Sequence, residues 1–307
     1  MIGRDPNLVV TPEDDGFHRP ESDDPSWIET IWFPFFVPEE AISASIRVRL
    51  SPNLAELEAT VAGWKGDSQG LFGDRITESL EGEPDLRRLQ LGERLSIECL
   101  APLSRYRIRH QGPHSSLDLE FAAIMPPNPV PPEASPGMFA GHFEQSGHLT
   151  GSLDLHGRKV AIDCHSIRDR SWGPRSMPER LRLGNAYATA ADSAFFAYIQ
   201  PDDAGRERVT HGYLLKDGVE AVLTGGLRET TLRDGMPVAV RLEAEDAAGR
   251  RFEAAGECVN TMASNAGNGV YAVLNLVRWE DGDSVRWGEN HDVWSEADWL
   301  AAGRARL

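Results

Sequence analysis

One stretch near the middle of the chain concentrates groups that can do chemistry: AIDCHSIRDRSWGPR, residues 161–175. His165 and Asp169 have the side-chain types of a general acid/base pair, provided they face an apolar cavity. The triplet Arg168-Asp169-Arg170 pulls the other way. Two guanidiniums beside one carboxylate depress its pKa and hold it ionised, which suits a structural brace. A proton donor needs the opposite surroundings, apolar and away from cations. On a strand, Asp163, His165 and Ile167 alternate with Cys164, Ser166 and Arg168, so the face each arginine takes decides the chemistry. Trp172-Gly173-Pro174 predicts a tight apolar corner, with the stem of Arg175 packed on the indole.

A second constellation lies upstream in GHFEQ, residues 141–145. His142 and Glu144 are two residues apart and share a face of any strand that carries them. They suit an acid/base or hydrogen-bonding pair in a barrel interior; the alternative is one solvated strand face. Two such groups are too few for a metal centre, and no metal is expected. The chain has no GxGxxG, P-loop, HExxH or GxSxG, so no cofactor is expected and covalent serine chemistry loses its usual sign.

The net charge of −17 and the lack of a lysine-rich stretch argue against nucleic acid or an anionic membrane as partner. No long apolar run predicts a membrane span, and the N-terminus lacks a signal-peptide core. Cys99, Cys164 and Cys258 are odd in number and widely spaced, which predicts neither a disulfide framework nor a zinc-cysteine site. A reducing cytoplasm is the expected compartment.

The elements that must position these groups read as short β-strands. In ASIRVRL, Ile46, Val48 and Leu50 alternate with Ser45, Arg47 and Arg49, the period of a strand with one wet face. Asp-Gly turns recur between such runs, and His156-Gly157 predicts a hairpin. Short helices are expected around residues 74–90 and 176–182, and a firmer one after the capping-box-like Ser295-Glu296-Ala297-Asp298. The proline-rich residues 125–137 predict an extended connector outside any sheet ladder. The pattern implies an all-β protein: an N-terminal arm over residues 1–25 and two antiparallel β-barrel or sandwich domains over 26–140 and 141–307, packed together and closed by a short C-terminal helix.

Residues 141–175, GHFEQSGHLTGSLDLHGRKVAIDCHSIRDRSWGPR, resemble the centre of the hydroxyneurosporene synthase (carotenoid 1,2-hydratase) and AttH-like superfamily. Glu144-Gln145, Gly151 and Asp169-Arg170-Ser171-Trp172-Gly173-Pro174-Arg175 carry the likeness. ETIWFPFFVPEEAISASIRVRLSPN, near the N-terminus, also resembles members of a subgroup with DRSWGPR. Arg170 is a departure, since many hydratase-like members have histidine there. The resemblance implies two lipocalin-like (calycin-like) β-domains with an apolar cavity near their junction. It also implies a cofactor-independent lyase (hydratase or dehydratase) or isomerase for bulky hydrophobic substrates, isoprenoid, steroid-like or aromatic. Asp169 would then be the residue that protonates an alkene. A pericyclase-like cyclisation catalyst and a non-catalytic carrier of a hydrophobic small molecule are the other functions the fold implies, with a homodimer left open.

The candidate acid/base residues are Asp169, His165, Glu144 and His142. The candidate substrate-binding residues are Trp172, Arg170, Arg175, Tyr187, Tyr271, Trp287 and His291.

Overall fold

The computed structural model describes residues 2–66, 69–134, 137–176, 180–267, 269–282 and 284–307. The first part of the chain builds one antiparallel sheet. Its strands are β1 (Trp27–Val37), β2 (Ile42–Ser51), β3 (Glu56–Lys65), β4 (Gln69–Ser79), β5 (Arg88–Leu91), β6 (Leu95–Ala101), β7 (Arg105–Gln111), β8 (Ser115–Ala123), β9 (Asn128–Pro129), β10 (Gly141–Leu155) and β11 (Arg158–Pro174). The spatial order is β4-β3-β2-β1-β11-β10-β8-β7-β6-β5, with β9 pairing β10.

The remainder closes into an eight-stranded barrel in sequential order. It comprises β12 (Arg182–Thr189), β13 (Ala194–Pro201), β14 (Glu207–Lys216), β15 (Val219–Arg233), β16 (Met236–Asp246), β17 (Arg251–Gly267), β18 (Val270–Asp281) and β19 (Ser284–Ser295). The single α-helix, α1 (Glu296–Ala301), starts where Ser295 accepts a hydrogen bond from the Asp298 amide. The expected fold class, two antiparallel β units with a short C-terminal helix, is the one observed.

Period-two patterning produces both cores. Ile46, Val48 and Leu50 are fully buried while Arg47 is exposed. Each buried aliphatic side chain contributes about 1.5–3 kcal/mol of transfer free energy. The first sheet packs Phe33, Tyr106 and Phe121 against one another on its inner face. The barrel is filled by small and aromatic residues such as Ala186, Ala197, Phe195, Phe252 and Trp279. Its interior also holds a buried ion network: Arg228 bonds Glu207 and Asp292, and Arg304 from the C-terminal tail bonds Asp292.

Several local expectations change. Gly141–Pro174 belongs to the first sheet, so sheet membership switches between Pro174 and Arg182 rather than at the boundary of 140 and 141. The reason is pairing: β11 lies between β1 and β10, which fixes both long strands in the first sheet. Residues 69–79 and 88–91 are strands, not helix, because β4 finds a partner in β3 and β5 in β6. The helix expected at 176–182 falls partly on 177–179, outside the described residues. The connector at 125–137 does touch a ladder, since Asn128 and Pro129 pair with Glu144 and Phe143. His156 and Gly157, both at positive φ, make the tight turn between β10 and β11.

Candidate active site at the junction of sheet and barrel

Strand β11 runs through the centre of the first sheet and presents opposite chemistry on its two faces. Arg168 and Arg170 point inward, where the N-terminal arm closes on them. Arg168 donates to Asp15 Oδ1 at 3.0 Å and to Gln145 Oε1 at 2.7 Å, and its guanidinium lies 4.1 Å from the centre of the Tyr106 ring. Arg170 pairs with Glu29 and donates to the carbonyl oxygens of Asp15 and Gly16. Burial alone would raise the Asp15 pKa. Arg168, the Tyr106 hydroxyl and the Leu103 amide outweigh it, and the carboxyl sits below its ordinary value. Trp172 shares this face, stacked on His18 with ring centres 3.6 Å apart. Gly141 is required beside it, because a Cβ there would lie 2.3 Å from the indole. Gly173, at φ +126°, turns the chain where a side chain would strike the backbone of Ala140.

The outer face of the same strands is turned toward the barrel. Pairing aligns Arg47, Trp32, Asp169 and Glu144 in one row across β2, β1, β11 and β10. The next row holds Arg49, Thr30, Ser171 and His142. Side chains directly opposite on neighbouring strands have Cβ atoms about 5 Å apart, so Asp169 and Glu144 are neighbours. Thr30 and Ser171 share a hydroxyl hydrogen bond of 2.7 Å, and Arg175 donates to Ser171 Oγ at 2.8 Å.

Across the junction, Tyr198 of β13 completes a trio with β10. His142 Nε2 lies 2.8 Å from Glu144 Oε1 and 2.6 Å from the Tyr198 hydroxyl, which donates to the same carboxyl oxygen at 3.3 Å. Glu144 Oε2 and His142 Nδ1 are buried and meet no protein partner. Asp169 makes no hydrogen bond or ion pair among the described residues, yet is only half-buried.

The electrostatics follow from this desolvated, weakly paired setting. Burial raises Glu144 well above the usual carboxyl value, more than the Tyr198 hydroxyl lowers it. Burial, then repulsion from Glu144, raises Asp169 to about 7, against partial opposition from His142, Arg47 and Arg175. Burial lowers His142 to about 4, so its imidazole is neutral. Desolvation, then repulsion from Arg47, lowers Arg175 to about 10. The site therefore sets a Glu144 that holds its proton more tightly than usual beside an Asp169 poised between its two states near neutral pH. Two coupled carboxyls whose pKa values are pushed upward are the raw material of proton transfer.

A second trio faces the first sheet from the barrel wall. Tyr187 donates to Glu289 Oε2 at 2.6 Å, and His291 Nε2 lies 2.9 Å from the same oxygen. Trp32 bridges the two groups: it stands beside Asp169 in the sheet and meets His291 edge-on, ring centres 5.5 Å apart. Elsewhere along the junction the walls part into an open depression of about 580 Å³ lined by apolar Met138, Leu181 and Leu183 and by charged Arg182, Asp202 and Asp298 among others. Met138 is next in sequence to Phe139, whose ring stacks on His142. A larger open depression, about 700 Å³, lies on the barrel wall among Arg208, Thr224, Glu243 and Phe252, with no histidine and no tyrosine in its lining.

The expected site residues thus divide. His142, Glu144, Asp169 and Arg175 come together, and Tyr187 and His291 form the second trio. Trp287 is half-buried on the same strand face as Glu289 and His291 and packs against the first core. His165 lies elsewhere, stacked on His148 at 4.3 Å, two strand repeats from Asp169. Arg170 and Trp172 are braces on the opposite face. Tyr271 is at the far end of the barrel, donating to Glu296 beside Trp299. The expectation that Arg168 and Arg170 would hold Asp169 ionised is corrected by alternation, because adjacent strand residues face opposite ways. The reading of the residues missed Trp32, Arg47, Tyr198 and Glu289. Glu289-x-His291 repeats the two-residue spacing of His142-x-Glu144, a signal available in the sequence. Tyr198 and Trp32 carried no comparable sign.

Fold and site together define a class: an all-β protein of lipocalin type, with two antiparallel units packed face to face and ionisable groups gathered at their junction. The chain belongs to the family described as "Domain of unknown function (DUF7064)", whose model matches residues 11–293. No curated protein sequence matches it. Among solved structures, a putative AttH from Nitrosomonas europaea superposes with a TM-score of 0.65 at 16% identity, covering 94% of this chain and 97% of that one. CghA gives 0.58 at 14%, covering 94% and 96%. Kievitone hydratase from Nectria haematococca gives 0.54 at 12%, covering 95% and 94%. At these identities the likeness concerns the fold, and it matches the expected AttH-like architecture. No helix among the described residues is long and apolar enough to cross a membrane.

Proposed function

We propose that the protein is a cofactor-independent acid/base catalyst that adds water to, or removes it from, a largely apolar substrate held at the junction. The observation that carries this reading is Asp169: a half-buried, unpaired carboxyl raised to about 7, on the sheet face opposite the barrel. In the hydration direction its proton passes to one alkene carbon, water bonds to the other, and the water's proton returns to the Asp169 carboxylate. Glu144, bonded by His142 and Tyr198 and raised by burial, competes with Asp169 for negative charge, so ionising one carboxyl holds the proton on the other. Apolar groups at the junction, Trp32 and Trp287, suit a substrate with a hydrophobic part. The likeness of Asp169-Arg170-Ser171-Trp172-Gly173-Pro174-Arg175 to carotenoid 1,2-hydratases, and the word hydratase in the name of one structural relative, support the same reaction class.

The test is Asp169→Asn, incubated with apolar alkenes and tertiary alcohols and followed by mass spectrometry for gain or loss of one water. Wild-type turnover that vanishes in a folded Asp169→Asn supports the reading. Undiminished turnover removes Asp169 from the mechanism.

A further inference from the structure

Beside the acid pair, the outer face of the first sheet carries three arginines that the proposed proton transfer does not use. Arg47 and Arg49 lie on β2 in the same two rows as Asp169 and Ser171, and Arg175 follows β11. Arg47 and Arg49 donate no hydrogen bond and form no ion pair among the described residues. Among the described residues Arg175 has one acceptor, Ser171 Oγ, and its buried Nε meets none. The three are close enough that Arg175 feels repulsion from both Arg47 and Arg49.

The chain carries 48 acidic residues, so carboxylate partners are plentiful. Many arginines take one: Arg75 with Glu58, Arg105 with Glu120, Arg158 with Glu40. Here the neighbouring carboxyls are Glu58, directly across from Arg49 but ion-paired with Arg75, and Asp169, which is itself raised toward neutrality and neutralises little of the positive charge. Forked guanidiniums gathered on one sheet face with free donors match a planar anion, which they bind through paired charge-assisted hydrogen bonds.

We infer that Arg47, Arg49 and Arg175 form a carboxylate-binding subsite, and that the substrate is an amphipathic organic acid whose apolar part reaches the junction. This rests on the reading of the junction as the substrate site. The anchoring anion would set which carbon lies against Asp169.

The test measures binding of decanoate, decanol and decyl phosphate to the whole chain by calorimetry. Decanoate should bind at least about 10-fold tighter than decanol. Arg47→Gln should weaken decanoate by about 10–100-fold, as expected for a lost charge-assisted hydrogen bond, and leave decanol unchanged. Arg47→Lys should fall between, and Arg105→Gln, on the same sheet but ion-paired with Glu120, should leave all three unchanged. Absence of decanoate binding, equal affinity for decanoate and decanol, or an Arg47→Gln variant indistinguishable from wild type overturns the inference. Preference for decyl phosphate over decanoate overturns the carboxylate assignment. Because binding is read without turnover, this result and that of Asp169→Asn can fail separately.

Discussion

The two faces of β11 put neighbouring residues of one motif under opposite physics. On the inner face Arg168 and Arg170 meet Asp15 and Glu29, and the Asp15 carboxyl is held below its usual pKa. On the outer face Asp169 forms no ion pair among the described residues, and burial and Glu144 raise it to about 7 against the weaker pull of His142, Arg47 and Arg175. Both environments are desolvated. What separates them is pairing: a buried charge with a partner is a brace, and a carboxyl without one is a proton reservoir.

That contrast breaks most sharply at Arg168. Arg168→Met leaves Asp15 buried without its main counter-charge and should lower unfolding free energy by about 3–5 kcal/mol in denaturant titration. Asp169→Asn, one residue away, should leave the fold intact and reduce turnover by about 10²–10⁴-fold, the usual worth of a general acid.

The pH dependence of stability should carry both signs. Asp169 has a folded pKa above its unfolded value, so between about pH 4 and pH 7 the folded state binds more protons than the unfolded one. Stability therefore falls as pH rises through that window, and Asp169→Asn should reduce this slope, leaving the part carried by the other raised carboxyls, Glu144 and Glu220. Asp15 has a depressed folded pKa, so its contribution is present above the ordinary carboxyl value and is lost as pH falls through the folded one. Urea titrations from pH 3 to pH 9 separate the two. Hydration turnover, which needs the protonated acid, should decline above about pH 7.

Smaller effects sharpen the assignment. Tyr198→Phe removes one hydroxyl from the Glu144 trio and should reduce turnover by about 10-fold, with the alkaline limb of the pH profile displaced. Glu289→Gln, in the second trio, should change turnover by less than about 3-fold, since its hydrogen-bonded oxygen already serves Tyr187 and His291. An equal loss in Glu289→Gln would make the two trios one catalytic unit.

Much of the fold was legible from local pattern. The alternation of ASIRVRL, the turn at His156-Gly157 and the cap at Ser295 need only neighbours in sequence, and the structure contains all three. The helix expected at 74–90 failed because its strands depend on partners elsewhere in the chain. The site was half legible for the same reason. His142-x-Glu144 announced itself by spacing, whereas Tyr198 reaches it from β13 only through packing.

For the motif AIDCHSIRDRSWGPR, residue types determined that charge would crowd around Asp169 and that Trp172-Gly173-Pro174 would make a tight corner, while the faces of the arginines stayed open. Only the tertiary structure decided which side is a sealed brace and which an acid/base wall. The N-terminal arm supplies Asp15 to one face, and β10 with the barrel supplies Glu144 and Tyr198 to the other. A pKa depends on the charges and solvent a group meets, and those come from chain segments far away in sequence.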